Sequence, residues 1–113
     1  MPHGDLLINA TGSGDTTLHI SPGDRQFVRV LHYHVTSDRP VTVQFWSNPS
    51  STGTLKDIVY STNASGGGLA TPEYNNGIFD CNVNESLVIN LSNTANVGGA
   101  LKYTLLGQKS QRN

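Results

Sequence analysis

From residue 86 the chain reads Ser-Leu-Val-Ile-Asn-Leu-Ser, with Leu87, Ile89 and Leu91 at every second position and Ser86, Val88, Asn90 and Ser92 between them. A two-residue period puts one set on the inner face of a half-buried strand and the other on its outer face. Residues 100–106 repeat the pattern: Leu101, Tyr103 and Leu105 face in, Lys102 and Thr104 face out. The intervening Gly98 and Gly99 predict a tight turn or bulge, which makes residues 86–92 and 100–106 antiparallel neighbours. Earlier runs offer Leu6 with Ile8, and Leu18 with Ile20, before a Ser-Pro-Gly-Asp turn at 21–24. The longest strand candidate, QFVRVLHYHVT, starts at Gln26 and is followed across SDRP by VTVQFWS, where Val41, Val43 and Phe45 share a face. Residues 53–60 supply a further strand, residues 63–77 read as loop, and IFDC as a short strand.

No segment sustains a helical period, and Gly, Pro, Asn and Ser punctuate the chain at short intervals. About eight strands at this spacing predict an all-β fold: one antiparallel β-sandwich, jelly-roll-like, over residues 1–113, with polar termini at about 1–4 and 107–113.

One strand is apolar on both sides. With strict alternation, Phe27, Leu31, Tyr33 and Val35 lie on one face, interrupted by Arg29, while Val28 and Val30 decorate the other. Trp46 likewise points away from Val43 and Phe45. A lone sandwich shows water a polar outer face. Val28, Val30 and Trp46, with the neighbouring His32 and His34, are therefore candidates for a subunit or capsid contact, the alternative being a loop such as 61–77 folded across the sheet.

Charged residues make up 13% of the 113, with a formal net charge of −1, so the basic footprint of a nucleic-acid binder is missing. Cys81 is the single cysteine, which leaves no intrachain disulfide and reads as a small buried apolar residue. The beginning, MPHGDLLINATGSGD, lacks the basic and long apolar regions of a secretory signal, and no run reaches membrane-spanning length. A soluble protein made in a cytoplasm is the expectation.

His32 and His34 are the best candidates for chemistry, because an i, i+2 pair on a strand points both imidazoles to one face, where they can share a metal. With Asp38, HYHVTSD faintly resembles the cupin metal motif, but no second segment with a following histidine appears. His19 and His3 are not brought there by spacing, so no metal or cofactor is predicted. No Gly-X-Ser-X-Gly elbow exists, SGGGLA lacks the ending of a phosphate loop, and Asp80 and Glu85 read as turn-facing rather than as an acid/base pair. Trp46, Tyr60 and Tyr74 suggest stacking on sugar rings, the second reading for this chain.

The segment GIFDCNVNESLVINLSNTANVGGALKYTLL at 77–106 resembles a group of small virion proteins of tailed bacteriophages. The resemblance rests on Phe79-Asp80, on the run from Glu85 to Ser92, and on Val97, Gly99, Leu101 and Tyr103. VRVLHYHVTSDRPVTVQFWS resembles the same group's earlier strand pair. Where the pattern expects glycine before Glu85 this chain has Asn84, which also tolerates left-handed backbone geometry. The resemblance implies a head decoration, or cement, protein: a non-enzymatic jelly-roll subunit on the capsid exterior, often trimeric, with the major capsid protein and itself as partners and neither nucleic acid nor membrane. A tail or fibre component remains the alternative.

Overall fold

Residues Leu87–Gly107 form one strand, not two. The computed structural model describes residues 3–23, 25–61, 67–70 and 77–107. In chain order its strands are β1 (His3–His19), β2 (Gln26–Ser37), β3 (Val41–Ser47), β4 (Thr54–Ser61), β5 (Gly67–Ala70), β6 (Phe79–Asp80) and β7 (Leu87–Gly107). All pairings are antiparallel. The expected all-β antiparallel architecture is what the chain adopts.

Two long strands organise it. β1 pairs with β7 from His3↔Thr104 to His19↔Leu87, with register shifts at Gly12/Gly14 and at Thr17/His19. Both glycines have positive φ, near +89° and +88°, a conformation that costs glycine little and lets the ribbon change direction. On its other edge β7 pairs with β3 over residues 87–91 and with β2 over residues 97–107. The ribbon therefore feeds two layers. One holds the end of β1, the start of β7, β3 and β4; the other holds the start of β1, the rest of β7, β2, and β5 and β6 on the far edge of β2.

The layers meet in a single apolar core. Tyr33 on β2 lies 4.7 Å, centroid to centroid, from Phe45 on β3, and Phe45 lies 5.8 Å from Phe79. Leu87, Ile89 and Leu91 point inward as their alternation predicts, as do Val41, Val43 and Phe45.

Val28 and Val30 do not decorate an outer face. Both are 0% exposed and belong to the core together with Tyr33 and Val35. The reason is a β-bulge: the β2–β7 register shifts between Val30 and His32, so Leu31 is an extra residue and the inward parity switches from even to odd numbers. The strand looks apolar on two sides only if it is read without that insertion. Buried within this chain, neither valine is available to a partner.

Gly98 and Gly99 make no turn. The strand runs through them, and Gly99 sits opposite Val35 and Ile8 where β1, β7 and β2 crowd together. A Cβ on Gly99 would collide with the His34 carbonyl oxygen, and its φ is near +143°. Residues 67–70, read as loop, are a strand paired with β2 from Ser37↔Gly67 to His34↔Ala70. Backbone hydrogen bonds form such a ladder without any side-chain pattern, so alternation cannot reveal it. The remainder of that loop up to residue 76 lies outside the described residues.

Among the described residues, buried side-chain polar atoms are matched. The Tyr33 hydroxyl donates to Asp57 Oδ2 at 2.7 Å, tying β2 to β4 across the sandwich. Burial first, and the Asp57 carboxylate second, push the phenol well above its usual value near 10. A raised folded-state value favours the protonated phenol, so this stabilisation is complete below about pH 10 and lost as pH rises toward the folded-state value. Tyr33→Phe is expected to cost about 1–2 kcal/mol at neutral pH, because the half-buried carboxylate loses a donor. Urea melts between pH 8 and 11 should show the loss of stability above about pH 10 flattened in the variant.

The turn before β7 is a polar knot. Ser47 Oγ donates to Glu85 Oε1 at 2.7 Å and accepts from Asn82 N at 2.9 Å, while Asn82 Nδ2 donates to Glu85 at 3.1 Å. Asn84 takes the left-handed conformation expected of it, φ near +64°, and its Oδ1 accepts from Arg25 N at 2.9 Å. Cys81 is buried beside this knot, and burial holds its thiol up at about 11.

Candidate interaction surface

Three exposed features are positioned to touch another molecule: the outer face of each layer and the free edge of β1. On the outer face of the β2 layer, register sets residues side by side in rows: Asp5, Lys102 and His32; Leu7, Ala100 and His34; Asn9, Gly98 and Thr36. His34 is exposed and His32 half-buried. The pair does share a face as predicted, because both follow the bulge.

Their surroundings do not complete a metal site. Among the described residues no group of three or more His, Cys, Asp or Glu is placed to hold an ion. Asp38 is engaged elsewhere, accepting from Asn96 N at 2.8 Å and Asn96 Nδ2 at 2.9 Å. Those bonds, the backbone one first, hold its carboxyl below the usual range. His19 packs its ring edge-on against Tyr103 at 5.0 Å, and its Nδ1 lies 2.6 Å from the Ile20 carbonyl oxygen. The side chain of His3 lies outside the described residues.

Asp80 and Glu85 are each committed to a partner. Arg29 donates to Asp80 through Nε at 2.7 Å and through Nη2 at 3.1 Å, a two-point ion pair across β2 and β6. The same guanidinium stands 5.8 Å from the Phe27 ring centroid. Glu85 belongs to the Ser47–Asn82 knot.

On the outer face of the β3 layer, Trp46 is half-buried beside Val88, with Leu55 as its other cross-strand neighbour. Its indole N–H donates to Gln44 Oε1 at 3.0 Å. Val88 is 1% exposed although it sits between the inward-facing Leu87 and Ile89. The connection after β3 is tied to β1 nearby: Asp15 accepts from Ser50 N and Ser50 Oγ, each at 3.0 Å. Asn90 Nδ2 donates to the same carboxylate at 2.8 Å. Slight burial raises the Asp15 pKa, and these hydrogen bonds outweigh it, so the net shift is downward. The loop 48–53 is tied to this face through Ser50, and most of 61–77, the loop expected over an outer face, lies outside the described residues. The three aromatic candidates for sugar stacking are not seen together, since the Tyr60 side chain and all of Tyr74 lie outside the described residues.

Leu7 lies outside the contact candidates legible in the sequence. It is 83% exposed, and Ile20, just past the end of β1, is 74% exposed. Alternation in DLLINA already places Leu6 and Ile8 inward and Leu7 outward, so the signal was present. Among the described residues β1 pairs with β7 alone, which leaves its other edge open along the strand.

No helix is long and apolar enough to cross a membrane among the described residues. No protein-family model matches the chain, and no curated protein matches it. Among solved structures, it is similar to a subunit from work on Bacillus endospore appendages, described as a novel family of disulfide-linked pili. That match has 15% identity and a TM-score of 0.46, covering 96% of this chain and 88% of the other. It is also similar to a chain of the extra small virus particle of the giant freshwater prawn Macrobrachium rosenbergii, with 16% identity and a TM-score of 0.36, covering 96% of this chain and 80% of that one.

Proposed function

We propose that this chain is a non-enzymatic virion structural protein that decorates a tailed-phage capsid, assembling with copies of itself, as a trimer, and binding across junctions of the major capsid protein. The observation that carries the reading is the pattern from Gly77 to Leu106. Its members occupy positions that decide the fold: Leu87, Ile89, Leu91, Val97 and Leu101 in the core, Gly99 at the closest strand approach, and Asp80 and Glu85 in polar ties.

Such a subunit does no covalent chemistry; binding only to the assembled lattice, it stabilises that state by mass action. A rigid sandwich with polar outer faces, an exposed leucine and an open edge fits these needs. Light scattering on the purified chain is expected to give a mass at a multiple of the monomer, three-fold for the trimer. Co-sedimentation with isolated heads should follow. A chain monomeric at all concentrations that ignores heads would overturn the reading.

A further inference from the structure

The two most exposed large apolar side chains among the described residues, Leu7 and Ile20, lie on β1 or immediately after it. β1 is also 17 residues long and, among the described residues, paired on one side only. An open edge carries unpaired N–H and C=O groups and is a template for another strand, so proteins that must stay apart blunt such edges with lysine, proline, bulges or a covering segment. Residues 3–19 contain no lysine, arginine or proline. The bulge at Gly12/Gly14 interrupts the edge, but the seven residues 4–10 before it run without a register break.

We infer that residues 4–10 are a self-pairing edge, joining β1 of one copy antiparallel to β1 of a second across a two-fold axis at Leu7. The inference rests on the assembly reading above and adds to its three-fold contact a separate two-fold one, through which two such assemblies pair. Self-complementarity fixes the register. With Leu7 opposite its own copy, Asp5 falls opposite Asn9, whose amide can donate to the carboxylate, and Leu6 falls opposite Ile8 on the inner face. No like charges meet. Sliding the strands by one pairing step puts Leu7 opposite Asp5 or opposite Asn9, and a further step toward the amino terminus puts Asp5 against Asp5. In the favoured register the β2 layers of two copies become one continuous sheet, and each Leu7 gains the cross-strand neighbour that Ala100 on its other side is too small to provide.

Directly opposed residues in an antiparallel pair have Cα atoms about 4.5–5.5 Å apart, within the span of a disulfide. The native Cys81 is buried and does not interfere. Leu7→Cys, in oxidised glutathione, is expected to form a disulfide-linked dimer at least ten times faster than Thr17→Cys, an exposed position on the same strand beyond the bulge. Equal rates would overturn the inference. Leu7→Lys, which brings two cations together at the axis, is expected to weaken this two-fold pairing at least ten-fold by light scattering while the three-fold contact persists; unchanged pairing would also overturn it. If the native chain oligomerises and binds heads while Leu7→Cys stays reduced, this edge is wrong and the assembly reading survives. A native chain that neither self-associates nor binds heads ends both.

Discussion

Gly99→Ala is expected to lower stability by about 4 kcal/mol or more, among the larger effects a single substitution produces. Two costs combine. The residue holds φ near +143°, which side chains rarely adopt, and the added methyl would enter the space of the His34 carbonyl oxygen, with the Val35 Cα close behind. Both obstacles are backbone, so no rotamer change relieves them; β2 and β7 must separate where their ladder crosses the middle of the layer. Gly98→Ala is the matched control. A Cβ there meets only the Ile8 carbonyl oxygen at 3.8 Å and Thr36 Oγ1 at 4.0 Å, which is ordinary contact. Urea unfolding should move the midpoint of Gly99→Ala down by about 2 M, given a slope of about 1–3 kcal/mol per M for a small protein, while Gly98→Ala stays close to the parent. Equal effects at the two sites would refute the close-approach explanation.

Phe45→Ala is expected to cost about 3–5 kcal/mol. The ring is fully buried and touches Tyr33 from the opposite layer and Phe79 from the short β6, so truncation opens a cavity where three strands converge. It also removes the support that keeps the Tyr33 hydroxyl aimed at Asp57. Phe45→Leu, which keeps most of the volume, should lose about half as much. For a domain whose whole stability is about 5–15 kcal/mol, either glycine or phenylalanine change removes a large fraction. A melt of Phe45→Ala within about 1 kcal/mol of the parent would place the centre of the core elsewhere.

In the pattern from Gly77 to Leu106, apolar members such as Leu87, Ile89, Leu91, Val97 and Leu101 are core residues, and the polar Asp80 and Glu85 tie strands and turns together. Leu7, the half-buried Trp46 and the His32–His34 pair are surface, and of these the sequence singles out only Trp46 and the histidines. A surface residue is under no periodic constraint, which is why the pattern that finds Leu87 and Ile89 does not rank Leu7 above any other exposed side chain.

Sequence alone determined the all-β class, the inward set of β3 and of the start of β7, the buried character of Cys81 and the left-handed turn at Asn84. Each depends on local rules: the two-residue pleat, the preferences of turn residues and the balance of apolar to charged groups. Tertiary pairing alone makes residues 87–107 one strand serving two layers, sends Val28 and Val30 inward through a bulge at Leu31, and ties the loop 48–53 to β1 through Ser50 and Asp15. Those outcomes depend on which strand lies beside which. A single extra residue in one strand of a pair reverses every face beyond it, and nothing in the periodicity of that strand announces the insertion.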